Sequence, residues 1–352
     1  MTHAWRHARR LTRPLATALL AVGAVCGDPA SYPAGQYPSH LESAYAQIGR
    51  IAGVKSLLVV SEGSIVGEGY FNGQTPQSLH DVRSVTKSVT SALVGIAIRE
   101  GFIASVDQTV GDYLGGIIPD LPDAIGSLTI DNLLTMRAGW AWSDFTGASE
   151  FGAWIRAPDQ LEYVVRSPLV DPPGTVFAYS DGTAHLLAAI LQVATGTSAL
   201  AFAEEHLFGP LGIGARDWLT DNRGYNLGGV GLMVTPRDMA ALGLLFLNGG
   251  ALDGRQLVPA EWVVTSTTAH TSTNDAVPYG SHYGYFWWIG QADGTDFYFA
   301  TGWGGQFIFV APTLDLVVVA SCDWHVPGSQ AEQHWWEIVE VIVHEVMPAV
   351  GP

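Results

Sequence analysis

Arg83-Ser84-Val85-Thr86-Lys87-Ser88 is the stretch around which the rest of the chain can be organised. Val85, Val89, Ala92, Leu93, Ile96 and Ala97 recur at helical spacing and Gly101 ends the pattern, so a helix is predicted over 84–99. Ser84 and Lys87 are three apart and share one face of that helix. A serine hydroxyl becomes a nucleophile when a base takes its proton, and lysine can be that base if burial or a nearby cation lowers its pKa. Ser84 at the helix N-terminus would also feel a dipole that favours developing negative charge. The competing reading is that Ser-x-x-Lys recurs by chance and that its lysine snorkels to solvent. Against it, Lys55 and Lys87 are the chain's two lysines, and the second lies in an otherwise apolar helix.

Upstream, 41–51 reads as a helix, and 56–61 and 64–71 read as strands joined at Glu62-Gly63. A lone hairpin is marginal, so it implies a larger sheet. Downstream, helices at 129–136, 151–156, 160–166, 183–195, 199–207 and 236–247 alternate with Gly- and Pro-containing loops. The last third returns to strands at 283–289, 296–300, 306–311 and 316–321, with turns at 301–305 and 312–315. Short links argue for an antiparallel meander. A final helix is predicted over 329–347, with Trp335, Ile338, Val339, Ile342 and Val346 on its apolar side. The expected class is α/β in the α+β sense: one antiparallel sheet from both ends of the chain, terminal helices on one face, and an inserted helical lobe. Within a single 39–348 domain, 39–83 and 229–348 would form the α/β lobe and 84–228 the mostly helical one. A crevice between them is the default site.

The 352 residues are 48% hydrophobic and 14% charged, which excludes extended disorder. A formal charge of −17 argues against a nucleic-acid partner. Arg6, Arg9, Arg10 and Arg13 precede an apolar run at 15–26 that is too short to span a bilayer. This layout predicts a signal peptide at 1–25, a linker at 26–38, and export to the periplasm or medium. Cys26 is a candidate lipid anchor, although Val25 stands where a smaller residue is preferred. Cys322 reads as a buried strand cysteine. No Gly-x-Ser-x-Gly elbow, phosphate loop or His-Glu-x-x-His is present, and no metal or cofactor is called for.

Taken together, several segments resemble the serine β-lactamase and penicillin-binding-protein superfamily, nearest its branch of esterases, DD-peptidases and 6-aminohexanoate-dimer hydrolases. They are Leu57-Leu58-Val59-Val60-Ser61-Glu62-Gly63, Ser84-Val85-Thr86-Lys87-Ser88, Leu128-Thr129-Ile130-Asp131-Asn132-Leu133-Leu134-Thr135-Met136, and Pro172-Pro173-Gly174-Thr175 with Tyr179-Ser180. Pro210-Leu211-Gly212-Ile213, Gly231-Leu232-Met233-Val234-Thr235-Pro236-Arg237-Asp238 and Gly304-Gly305-Gln306 follow in the same order. The resemblance implies a β-lactamase/transpeptidase-like fold, with Ser84 as the acylated nucleophile, Lys87 as base or proton shuttle and Tyr179 as proton carrier. It places the backbone amides of Ser84 and Trp303 in the oxyanion hole.

Two departures qualify it. Asp181 stands where asparagine is usual. An ionised aspartate only accepts hydrogen bonds and would raise the Lys87 pKa. Asp181 is read either as a receiver of a substrate amine or as a helix cap. The third family motif falls on Ala300-Thr301-Gly302 and lacks its cation, while Gly302 and Gly304 leave room for a close substrate. Trp140, Trp142, Tyr285, Trp287 and Trp303 are candidate pocket walls; Arg83 and His325 are weaker candidates. The expected activity is acyl transfer from a small ester or short linear amide to water. A DD-carboxypeptidase or β-lactamase, or a non-catalytic envelope binding protein on the same fold, is the alternative.

Overall fold

Leu57, Leu58, Val59 and Val60 are buried on both faces of one strand, the mark of a central position in a covered sheet. In the computed structural model this strand, Val54–Ser61, lies between Ser64–Tyr70 and Leu316–Cys322. The sheet has eight antiparallel strands. From Leu316–Cys322 it continues through Gln306–Ala311, Thr295–Gly302, Trp288–Ala292, His282–Tyr283 and Thr271–Ser272. The structure describes residues 38–351 except 143, 145–148, 215 and 275. The expected signal peptide, Cys26 and all of the 26–38 linker but Pro38 lie outside the described residues.

Both ends of the chain thus meet in one sheet, as expected. Helix Pro236–Leu247 covers one face, so closely that a Cβ on Gly243 would lie 2.5 Å from Val317 Cγ1. The terminal helices Glu42–Ile48 and Gly328–Val341 cover the other. There the Tyr45 hydroxyl donates to Leu57 O, and His334 Nδ1 lies 3.4 Å from the buried, free Cys322 Sγ. Residues 85–211 carry the inserted helices, among them Val85–Arg99, Ile130–Leu134 and Asp181–Thr195.

Turn chemistry sets the register. Glu62 and Gly63 both have positive φ (50° and 74°), the twist that suits a two-residue hairpin. Asp293 and Gly294 repeat it (48° and 79°), forming a hairpin the sequence reading passed over. The strand expected at 283–289 is split into His282–Tyr283 and Trp288–Ala292. Phe286 at φ 64° breaks the extended run, and the Tyr285 N–H donates to Ser266 O instead of a neighbouring strand.

Buried polar contacts lock the segment before Ser84 to the sheet. His80 and Asp81 pair with Leu232–Val234 in a small three-stranded sheet. His80 Nδ1 lies 2.6 Å from Ser321 Oγ, which lies 2.6 Å from Ser56 Oγ. Burial lowers the His80 pKa from 6.5 to about 4. Its contribution to stability is whole above 6.5 and is lost as the pH falls to about 4, because only the unfolded chain takes up the proton there. Unfolding midpoints measured across that range should fall less steeply in His80→Gln.

Arg237 and Glu68 make a second lock. The guanidinium grips both carboxylate oxygens at 2.7 and 2.8 Å, tying Pro236–Leu247 to the edge hairpin. The Tyr70 hydroxyl also donates to Glu68. Arg237→Ala strands a buried carboxylate and should cost about 3–5 kcal/mol in urea denaturation.

Candidate active site

Helix Val85–Arg99 begins at Ser84, which occupies its N-cap. One turn in, Lys87 is 1% exposed. Its ammonium has three acceptors: Ser84 Oγ at 2.9 Å, Asp181 Oδ1 at 2.5 Å and Gly229 O at 3.1 Å. An ammonium has three N–H groups, which these acceptors and the Tyr179 hydroxyl share. Tyr179 packs its ring 4.7 Å from Lys87 Nζ, and its hydroxyl hydrogen-bonds to the Ser84 and Lys87 side chains. Four side chains from two segments nearly a hundred residues apart therefore converge on one point.

Asp181 does not cap its helix. The cap of helix Asp181–Thr195 is Ser180, whose Oγ accepts from the Thr183 N–H. Asp181 is the buried counter-ion of Lys87, 4% exposed. Burial alone would lower the Lys87 pKa, but Asp181, Tyr179 and Asp144 outweigh it and the net shift is upward. Lys87 is therefore an ammonium at rest. Burial holds the Tyr179 hydroxyl above its usual range, with Lys87 opposing.

Sequence reasoning missed Asp144 and Gly229. Asp144 Oδ2 accepts from the Asp181 N–H at 2.8 Å and Oδ1 from Trp142 Nε1 at 2.6 Å. Burial first, then the charge of Asp181, pushes the Asp144 carboxyl up to about 7. No local sequence signal marks either residue, since one acts through a distant helix end and the other through a main-chain carbonyl.

The other expected pocket residues separate into two groups. Gly302 abuts the nucleophile: a Cβ there would lie 2.5 Å from Val82 O and 3.0 Å from Ser84 N. The next residues, Trp303, Gly304 and Gly305, turn the chain back into Gln306–Ala311. The Trp303 side chain is 42% exposed, and a Cβ on Gly304 would meet Trp324. Trp142 borders the cluster by holding Asp144 and by packing its ring against Gly182. Trp140, Tyr285 and Trp287 do not wall the site. Trp140 donates to Ser167 O, Tyr285 donates to Asp131 and stacks on His270, and Trp287 packs on Phe246 and Tyr298; all three are buried. Their aromatic bulk fills the core. His325 is exposed, stacked on Trp324 and paired with Asp323. Among the described residues, no group of three or more His, Cys, Asp or Glu is placed to hold a metal ion.

The family model described as Beta-lactamase matches residues 39–342, and the chain belongs to that family. It is 26% identical over 314 residues to the 6-aminohexanoate-dimer hydrolase of Paenarthrobacter ureafaciens, covering 84% of this chain and 78% of that one. Its fold is similar to EstCE1, a hydrolase with promiscuous acyltransferase activity (TM-score 0.65, 17% identity, 84% of this chain and 97% of the other). It is also similar to penicillin binding protein from Bacillus halodurans (TM-score 0.63, 18% identity, 86% and 99% covered). The family is one of serine hydrolases.

Asp181 raises the Lys87 pKa, so removing its charge lowers it. If neutral Lys87 is the active form, Asp181→Asn should move the rising limb of the kcat/KM pH profile to lower pH. An unmoved limb would detach Lys87 from the rate.

Proposed function

We propose that the protein is a serine hydrolase that cleaves esters or short linear amides by acyl transfer through Ser84. The observation that carries this reading is the contact of Ser84 Oγ with a buried lysine, 2.9 Å away, beside the Tyr179 hydroxyl. A lysine held out of water beside a hydroxyl at a helix N-terminus has little structural purpose, since its burial costs free energy that three acceptors must offset.

Ser84 Oγ attacks the carbonyl and forms a tetrahedral oxyanion. The Ser84 and Trp303 amides are the proposed donors to that oxygen; among the described residues neither donates a hydrogen bond elsewhere. Lys87 takes the Oγ proton in its neutral-amine form, the minor form at rest because Asp181 holds the ammonium. Tyr179, bonded to both Ser84 and Lys87, returns the proton to the leaving group. Water enters after the leaving group departs, gives its proton to the same relay, and releases the acid and Ser84.

Asp181 supports esters and linear amides over β-lactams. An aspartate engaged by Lys87 offers no N–H to a substrate carbonyl, unlike the asparagine usual at this position. The basic, then apolar leader supports placing the enzyme outside the cytoplasm.

The test is intact-protein mass spectrometry during turnover of a short p-nitrophenyl ester. A transient gain equal to the acyl group, absent in Ser84→Ala, is expected. Equal p-nitrophenol release from both proteins would overturn the reading.

A further inference from the structure

Arg83 precedes the reacting serine and takes no part in the Ser84–Lys87–Tyr179–Asp181 cluster. Its φ of 50° is left-handed, an unfavourable conformation for a long side chain. The Arg83 N–H donating to Asp81 Oδ1 at 2.9 Å helps hold it there. The guanidinium carbon lies 4.3 Å from the Trp324 ring centroid and 5.4 Å from that of Phe151. Trp324 in turn packs against Gly304, and a Cβ on Gly302 would lie 2.8 Å from Arg83 Cβ. The cation is therefore lodged beside the turn that carries the Trp303 amide.

Its polar edge is unfilled. Arg83 Nε is buried and has no hydrogen-bond partner. The Asp81 oxygen facing Nη1 is 3.6 Å away, an ion pair beyond hydrogen-bond reach. A buried charged donor without an acceptor is costly, and a carboxylate is the group whose two oxygens match a pair of guanidinium N–H groups. With Nε buried and aromatic rings against the guanidinium faces, the Nη end of this 14%-exposed side chain is what can meet a ligand.

We infer that Arg83 is an anion anchor beside Ser84 and receives a carboxylate carried by the substrate near the scissile bond. The inference rests on the hydrolase reading and narrows its substrate class. It also gives the site a cation that the Ala300-Thr301-Gly302 segment does not supply.

Two matched ester pairs test it. p-Nitrophenyl hemiglutarate against p-nitrophenyl methyl glutarate places the carboxylate on the acyl side. 3-Butyryloxybenzoate against its methyl ester places it on the leaving group. The wild type should favour the charged member of at least one pair by about tenfold or more in kcat/KM, chiefly through KM. In Arg83→Met that ratio should fall towards one, with Arg83→Lys between. A wild-type ratio near one in both pairs, or a preference that survives Arg83→Met, overturns the assignment. If Arg83→Met does not fold, calorimetry on the wild type decides: glutarate should bind in preference to glutaramide, and equal binding refutes the anchor. The same titration on Ser84→Ala needs no turnover, so a failure of the hydrolase reading is distinguished from a failure of this one.

Discussion

The burial of one charged amine organises this molecule. Lys87 Nζ is held out of water by a hydroxyl of its own helix, a carboxylate at the start of Asp181–Thr195 and a main-chain carbonyl at Gly229. Each acceptor comes from a different part of the chain. Desolvating an ammonium costs several kcal/mol, and only the full set of partners offsets it. The helical insertion and the return to the sheet must therefore close on the nucleophile helix together.

That constraint explains the second layer of groups. Asp181 balances Lys87, and its own N–H is taken by Asp144, which Trp142 holds from the other side. Burial, and then the charge of Asp181, pushes Asp144 towards neutrality, to about 7. The aromatic residues that looked like pocket walls are needed elsewhere. Trp287 packs on both Phe246 and Tyr298, and Tyr283, Trp288 and Phe177 cluster beside Tyr179. What abuts Ser84 instead is Gly302, followed in the turn by the exposed Trp303 and by Gly304 against Trp324.

The lead-in to Ser84 shows how rigidity is achieved without a disulfide. His80, Ser321 and Ser56 form a buried polar chain across the small sheet and the large one. Arg83 then bends the backbone through a left-handed residue so that the helix starts at Ser84. The strain is local, and the sheet on one side and the helix on the other hold it.

Periodicity alone carried the central helix 84–99, the first hairpin and the last two strands, because buried apolar runs and Gly turns are local properties. The Ser84–Lys87 pairing was legible for the same reason: three residues apart is one helical face. Asp293-Gly294 is an equally local hairpin signal, whereas the sequence did not carry the break at Phe286 or the burial of Trp140 and Tyr285. Those depend on where Ser266, Ser167 and Asp131 lie in space. The role of Asp181 is the clearest case. Sequence context left a cap and a substrate contact open, and the structure gives the cap to Ser180. The partner of Asp181 is 94 residues away, and only the fold brings a carboxylate to 2.5 Å from a buried amine, where Coulomb attraction in a dry interior makes it the counter-ion of Lys87.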